Sequence, residues 1–166
     1  MSEIIRPSKD VYYCNIAKDV SKRGTCLRRN FGAVIVNDDQ IISTGYTGAP
    51  RGVPNCIDLG KCLRQENNIS PGKNYELCRS VHAEMNAIIS ASRRDMIGGK
   101  LYLYGESKEN GKPYENTQPC MLCWRQIINA GLSKVIVQRG NEIIHLSIEE
   151  RVRKMTENPF SEIEIK

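Results

Sequence analysis

The segments His82-Ala83-Glu84 and Pro119-Cys120-Met121-Leu122-Cys123 constrain this chain more than any other feature. One imidazole and two thiolates supply three ligands for a tetrahedral zinc. Three protein ligands leave a fourth position open for water, which separates a catalytic zinc from a structural one. A fold that uses both segments must bring them to one point. Each opens a helical run: Met85 to Ala91 continues from Glu84, and Met121 to Ala130 continues from Cys120 and ends near Gly131. Pro119 suits a helix start, because its missing N–H would lack a partner there. Thiolates at a helix N-terminus are stabilised by unpaired backbone N–H groups and the helix dipole. Two helix N-termini are therefore expected to meet at one metal.

Glu84 stands two residues past the His ligand, where it can exchange protons with the metal's water without binding the metal. The pattern H-x-E…P-C-x-x-C is the signature of zinc-dependent nucleobase deaminases, with the Glu as general acid and base. A C-x-x-C pair alone is weaker, since it also suits a redox motif or half of a structural zinc knuckle. A structural site would require a further pair to close it. The joint pattern favours a catalytic zinc on His82, Cys120 and Cys123 with Glu84 as proton carrier.

A chain of 166 residues fits one domain, 1–166, with a proper core. No apolar run is long enough to span a bilayer. The segment Met1 to Pro7 lacks the apolar stretch of a signal peptide, so a cytoplasmic protein is expected. Seven cysteines in a reducing compartment point to metal or chemistry rather than disulfides. The formal charge of +5 suits a nucleotide phosphate or a polynucleotide. Arg28-Arg29 and Arg93-Arg94 are short pairs that read as solvated surface, and no block of nucleic-acid-binding density is present. Aromatic residues make up only 6% of the chain, which disfavours a stacking groove for single strands.

Ser8 to Lys22 has the apolar spacing of an amphipathic helix capped by Ser8. Phe31 to Val36 reads as a buried strand, Asn37 to Gln40 as a hairpin turn and Ile41 to Tyr46 as the returning strand. Residues 47–79 read as a long loop, which in a compact domain implies function, disorder or a metal clip. A second helix is expected from Val81 to Arg94, and a strand over Leu101 to Tyr104. Gly105 to Gln118 forms an excursion turning at Asn110-Gly111, placed either over the pocket or at a subunit contact. Strands at Lys134–Gln138 and Asn141–Leu146 follow, then a helix capped by Ser147 with Glu150 at capping-box spacing. Strands alternating with helices after an opening hairpin imply an α/β layered sheet.

Five cysteines remain. Cys14 falls in the first helix as a core residue, while Cys26, Cys56, Cys62 and Cys78 flank or lie in the long loop. Four thiolates complete a closed structural zinc site, which would pin a loop too poor in apolar residues to order itself. The alternative is four small buried hydrophobes.

Phe31 to Val36, Ile41 to Gly52, Cys78 to Ala87 and Pro119 to Cys123 together resemble the cytidine and deoxycytidylate deaminase family over nearly the whole chain, most closely its bacterial and phage dCMP deaminases. The resemblance implies a three-layer α/β/α fold with a five-stranded mixed sheet. It implies zinc-dependent hydrolysis of dCMP to dUMP and ammonia, in a homo-oligomer (hexamer or dimer) activated by dCTP and inhibited by dTTP. Phage members carry a second zinc whose two early ligands match Cys26 and Cys56; Cys62 and Cys78 are then the remaining pair. The Ala83 backbone N–H is implied as donor to the base carbonyl. Arg93 matches a position linked to phosphate binding and allosteric response, and also reads as a solvated helix-end cation. Thr47 stands where the family has a substrate-contacting Asn, which bears on the exact substrate. The strand end near Tyr104 and the long loop are expected to wall the pocket. Beside dCMP, the readings kept open are another cytosine or purine nucleotide, a nucleic-acid base, and a non-catalytic zinc protein.

Overall fold

The structure is a computed structural model that describes residues 6–158. Met1 to Ile5, on which the signal-peptide reading largely rests, lie outside the described residues. Among the described residues no helix is long and apolar enough to cross a membrane.

Helix α1 (Lys9–Ser21) starts at Ser8, whose hydroxyl accepts from the Val11 N–H. Strands β1 (Arg29–Asn37) and β2 (Gln40–Tyr46) form an antiparallel hairpin. Asp38 and Asp39 turn it with φ of 46° and 62°, a backbone region that Asp tolerates better than most residues. After the long loop come α4 (Ala83–Ile89), α5 (Arg93–Met96), β3 (Lys100–Ser107), α6 (Met121–Ala130), β4 (Lys134–Arg139), β5 (Glu142–Ser147) and α7 (Ile148–Glu157). Ser147 caps α7 by accepting from the Glu150 N–H. The five strands lie in the order β2-β1-β3-β4-β5, with β3 and β4 parallel and the other neighbours antiparallel, which is the expected mixed sheet.

Strand alternation divides the core between the two faces. Val34, Val36, Tyr102, Tyr104 and Ile136 pack with Tyr13, Cys14 and Ala17 of α1. Ala33, Ile35, Leu101, Leu103 and Val135 pack with Ala83 and Ala87 of α4 and Cys123 and Ile127 of α6. One glycine on each face lets a helix sit against the strands. A Cβ at Gly32 would lie 2.0 Å from the Ala17 carbonyl oxygen, and one at Gly45 would lie 2.2 Å from that of Ala83.

Three expectations need correction. Residues 81–94 do not form one helix: α4 ends at Ile89 with Ser90 as its C-cap, and Ser92 caps α5 by accepting from the Asp95 N–H. Side-chain capping by Ser competes with helix continuation, and two serines flank Ala91 here. β3 extends to Ser107, because β1 stays paired with it from Val36 back to Arg29. The 47–79 segment is not wholly irregular, since it contains α2 (Cys56–Leu59), α3 (Leu63–Glu66) and a 3₁₀ turn at Tyr75–Leu77.

Candidate metal centre and its cleft

His82 is the N-cap of α4 and Cys120 the N-cap of α6, with Cys123 in the first turn of α6. The Gly45 contact holds α4 onto β2. The Ser43 hydroxyl donates to the Ala87 carbonyl (2.7 Å), and the Asn86 side-chain N–H₂ donates to the Tyr46 carbonyl (2.8 Å). Gly48 and Val81 exchange backbone hydrogen bonds of 3.2 and 2.7 Å, which pins the chain just before His82.

The two helix N-termini meet as their sequences imply. His82 Nδ1 lies 3.4 Å from the sulfur of Cys120 and 3.4 Å from that of Cys123. A tetrahedral zinc with ordinary Zn–N and Zn–S bonds spaces N and S by about 3.5 Å, so this trio fits the ion. Among the described residues it is the one set of three such ligand atoms within 4.8 Å of one another. The hydrogen bond with Cys123 and the His82 ring hold the Cys120 thiol well below its ordinary range, against the effect of burial. Cys123 is pushed up in turn by its hydrogen bond with Cys120 and by burial, so of the pair it is Cys120 that favours the thiolate form needed for ligation. His82 is pulled down by burial, yet ends above its ordinary value through the hydrogen bond with Cys120 and the charges of Glu84 and Cys120.

Glu84 is buried (4% exposed) in the first turn of α4. Burial raises its carboxyl above the ordinary value, while His82, its own backbone N–H and the Cys123 thiol partly offset the rise. A carboxyl shifted upward beside a metal trio holds a proton more readily than a free one, as suits a group that takes and returns protons.

His82, Cys120 and Glu84 line a cleft of about 360 Å³, within the size range of small-molecule sites, with Cys123 fully buried behind them. Thr47 lines it, as do Cys62, Arg64, Tyr75 and Cys78 of the long loop. The loop is therefore a cleft wall, as expected. Arg64 anchors it: this buried guanidinium donates to the carbonyls of Ser70 (2.8 Å) and Lys73 (2.6 Å) and lies over the Tyr75 ring. Tyr75 in turn meets the His82 ring edge-on at 5.0 Å. Ala83, at the first helical position, is fully buried in the core on the metal face of the sheet and does not line the cleft.

Two residues are not brought to the cleft. Tyr104 points to the opposite face, against α1, with its hydroxyl donating to Glu106 (3.0 Å). Strand parity decides this, since Leu103 takes the metal face. Arg93 belongs to α5, donates to the Asn129 carbonyl (2.9 Å) and borders a separate concavity with Arg125. The break between α4 and α5 removes it from the helix that carries Glu84. Conversely, Arg28 and Arg29 line the cleft and are not plain solvated surface. The signal available in the sequence was their place at the start of β1.

The remaining thiols share one neighbourhood. Cys26, Cys62 and Cys78 border the cleft, and all three add to the rise that burial imposes on the Cys56 thiol. Pairing of Thr25 with Asn55 (2.8 Å) and of the Ile57 N–H with the Thr25 carbonyl (3.3 Å) brings Cys26 and Cys56 together. The four sulfurs do not converge to the spacing of the His82 trio. Cys14 is fully buried in the α1 core, as expected.

The sequence profile described as the cytidine and deoxycytidylate deaminase zinc-binding region matches residues 7–139. The deoxycytidylate deaminase of Schizosaccharomyces pombe is 36% identical over 131 residues, which cover 79% of this chain and 37% of that protein. That of Mycobacterium phage D29 is 35% identical over 136 residues, covering 79% of this chain and 94% of the phage protein. The chain thus spans about two fifths of the yeast relatives' length and nearly all of the phage one's. The crystal structure of a cyanophage S-TIM5 dCMP deaminase in complex with dCMP and dUMP superposes with a TM-score of 0.58 at 24% identity, covering 81% of this chain and 84% of that one. At that identity the likeness is one of fold.

Proposed function

The chain belongs to the cytidine and deoxycytidylate deaminase family, and from that premise we propose that it hydrolyses dCMP to dUMP and ammonia. The observation that carries this reading is the approach of His82 Nδ1 to both Cys120 and Cys123 sulfurs at 3.4 Å, with Glu84 buried beside them at the floor of a nucleotide-sized cleft. Support for dCMP as substrate comes from the relatives named deoxycytidylate deaminase, above all the phage protein matched over nearly its full length.

His82, Cys120 and Cys123 would hold the zinc, which when bound activates water and stabilises developing negative charge on oxygen. Glu84 accepts a proton from water and delivers it to N3 of the cytosine ring. It then carries the second water proton to the amine at C4, which leaves as ammonia, so that water and dCMP account for both products. The Ala83 N–H, in the first helical turn and without an intrahelical partner, would donate to the base carbonyl, a role supported by kinship. Arg28 and Arg29 at the cleft supply positive charge for a phosphate. Thr47 offers one hydroxyl toward the sugar side.

The finer reading includes a homo-oligomer, dimer or hexamer, activated by dCTP and inhibited by dTTP, in the cytoplasm; its support is kinship. It also includes a second zinc on Cys26, Cys56, Cys62 and Cys78, supported by kinship and by the Thr25–Asn55 pairing that brings Cys26 and Cys56 together.

The test is ammonia release from dCMP, CMP, deoxycytidine, dCTP, dAMP and a cytosine-containing oligonucleotide, for the wild type and Glu84→Gln. The expected result is turnover of dCMP that is raised by dCTP, and a Glu84→Gln protein that retains zinc but loses activity by roughly three orders of magnitude or more. Silence on dCMP, or a Glu84→Gln variant with more than a few per cent of wild-type activity, overturns the proposal.

A further inference from the structure

The 105–118 excursion brings an aromatic side chain to the cleft beside an arginine. Beyond β3 the chain turns at Asn110-Gly111, where Gly111 takes φ +65°. It then folds back along the strand end: the Ser107 N–H donates to the Lys112 carbonyl (3.0 Å) and the Tyr114 N–H to the Gly105 carbonyl (2.9 Å). The Lys108 N–H donates to the Arg28 carbonyl (3.0 Å), which ties the excursion to the segment that carries the arginines. Gly105 has no room for a side chain, since a Cβ there would lie 2.3 Å from a Phe31 ring carbon. The Phe31 ring thus lies against Gly105 and stacks on Tyr114, with centroids 5.9 Å apart and planes 13° apart. The Arg29 guanidinium carbon stands 5.0 Å from the centre of the same Tyr114 ring.

Arg29 has no carboxylate within ion-pair distance among the described residues. A guanidinium held against a ring keeps its edge N–H groups free for an oxyanion while its face stays on the aromatic surface. The flexible side chain is then ordered before the anion arrives, which lowers the entropic cost of binding. We propose that Tyr114 is a positioning residue that holds Arg29 ready for the phosphate of the substrate nucleotide, and so sets the preference for the monophosphate over the nucleoside. This rests on the deaminase reading above.

Two measurements on zinc-loaded full chains keep the proposal and that reading apart. Turnover of dCMP by the wild type tests the reading. Calorimetric affinity for dCMP and deoxycytidine, measured in the Glu84→Gln background so that the substrate survives, tests Tyr114. Adding Tyr114→Leu is expected to weaken dCMP binding roughly fivefold and leave deoxycytidine binding within twofold, while Tyr114→Phe keeps the ring and matches its parent. In the Arg29→Ala background, Tyr114→Leu is expected to have no further effect on dCMP, because coupled residues are not additive. Equal loss for both ligands, unchanged dCMP binding, or additive effects of the two substitutions would overturn the proposal even in an active enzyme. An inactive wild type would overturn the deaminase reading and this proposal with it.

Discussion

Glu84 keeps only 4% of its surface exposed, and burial raises its carboxyl above the ordinary value. A carboxyl that binds its proton more tightly folded than unfolded adds stability below its unfolded pKa. That contribution is lost as pH rises through the folded value. At neutral pH the metal-free protein therefore carries a destabilising group that the proposed chemistry requires. Glu84→Gln removes the cost and keeps an oxygen able to accept from the Cys123 thiol. Thermal unfolding in excess chelator is expected to show Glu84→Gln melting a few degrees above the wild type at pH 7, with the gap closing near pH 4. A variant that melts lower at pH 7 would show that the carboxylate is stabilising there, against the direction of its shift.

At the level of elements, two glycines seat two helices on opposite faces of one sheet, but only one helix carries a metal ligand. A Cβ at Gly32 would strike the backbone of α1, and a Cβ at Gly45 would strike the backbone of α4 at the Ala83 oxygen and, 2.3 Å away, the Ala87 nitrogen. Neither helix can yield by a side-chain rotation, so each must shift. Gly32→Ala and Gly45→Ala are both expected to lower stability by about 1–3 kcal/mol in denaturant titrations. Gly45→Ala alone is expected to weaken zinc binding, because it displaces the helix that begins at His82. Competition with a chromogenic chelator measures this, and equal zinc affinity in the two variants would count against α4 as the element that places the ligand. The break at Ser90–Ser92 belongs to the same scale: the Glu84 helix is short, and its continuation carries Arg93 away to a second concavity.

At the scale of the whole molecule, the long 47–79 segment folds back over the metal face and places Cys62 and Cys78 at the rim of the cleft, where Cys26 from the segment before β1 also lies. Two metal roles on one chain predict a zinc content of two per chain by elemental analysis. Cys62→Ser is expected to lower it to one and to reduce the melting temperature, while the His82 site still binds metal. A content of one in the wild type, unchanged by Cys62→Ser, would leave the four thiols as buried apolar groups and the loop held by Arg64 and the Thr25–Asn55 contacts alone.

The metal trio, Glu84, the Ser8 and Ser147 caps and the Asp38–Asp39 turn were legible because each depends on a few neighbouring residues. A ligand at a helix N-terminus, a cap or a tight turn is built within one turn of chain, so residue type and spacing specify it. The five-stranded mixed sheet followed from the family resemblance rather than from spacing, and its strand order came from the structure alone. Tyr104, Arg28, Arg29 and Tyr114 were not legible, because their roles depend on strand pairing across long stretches of sequence. The register of β3 against β1 turns Tyr104 toward α1, and the fold-back of residues 112–114 along Gly105 brings Tyr114 to Arg29. Local chemistry was thus written in the sequence, whereas the walls of the cleft were decided by the tertiary structure, since a side chain's face is set by the partner its strand finds.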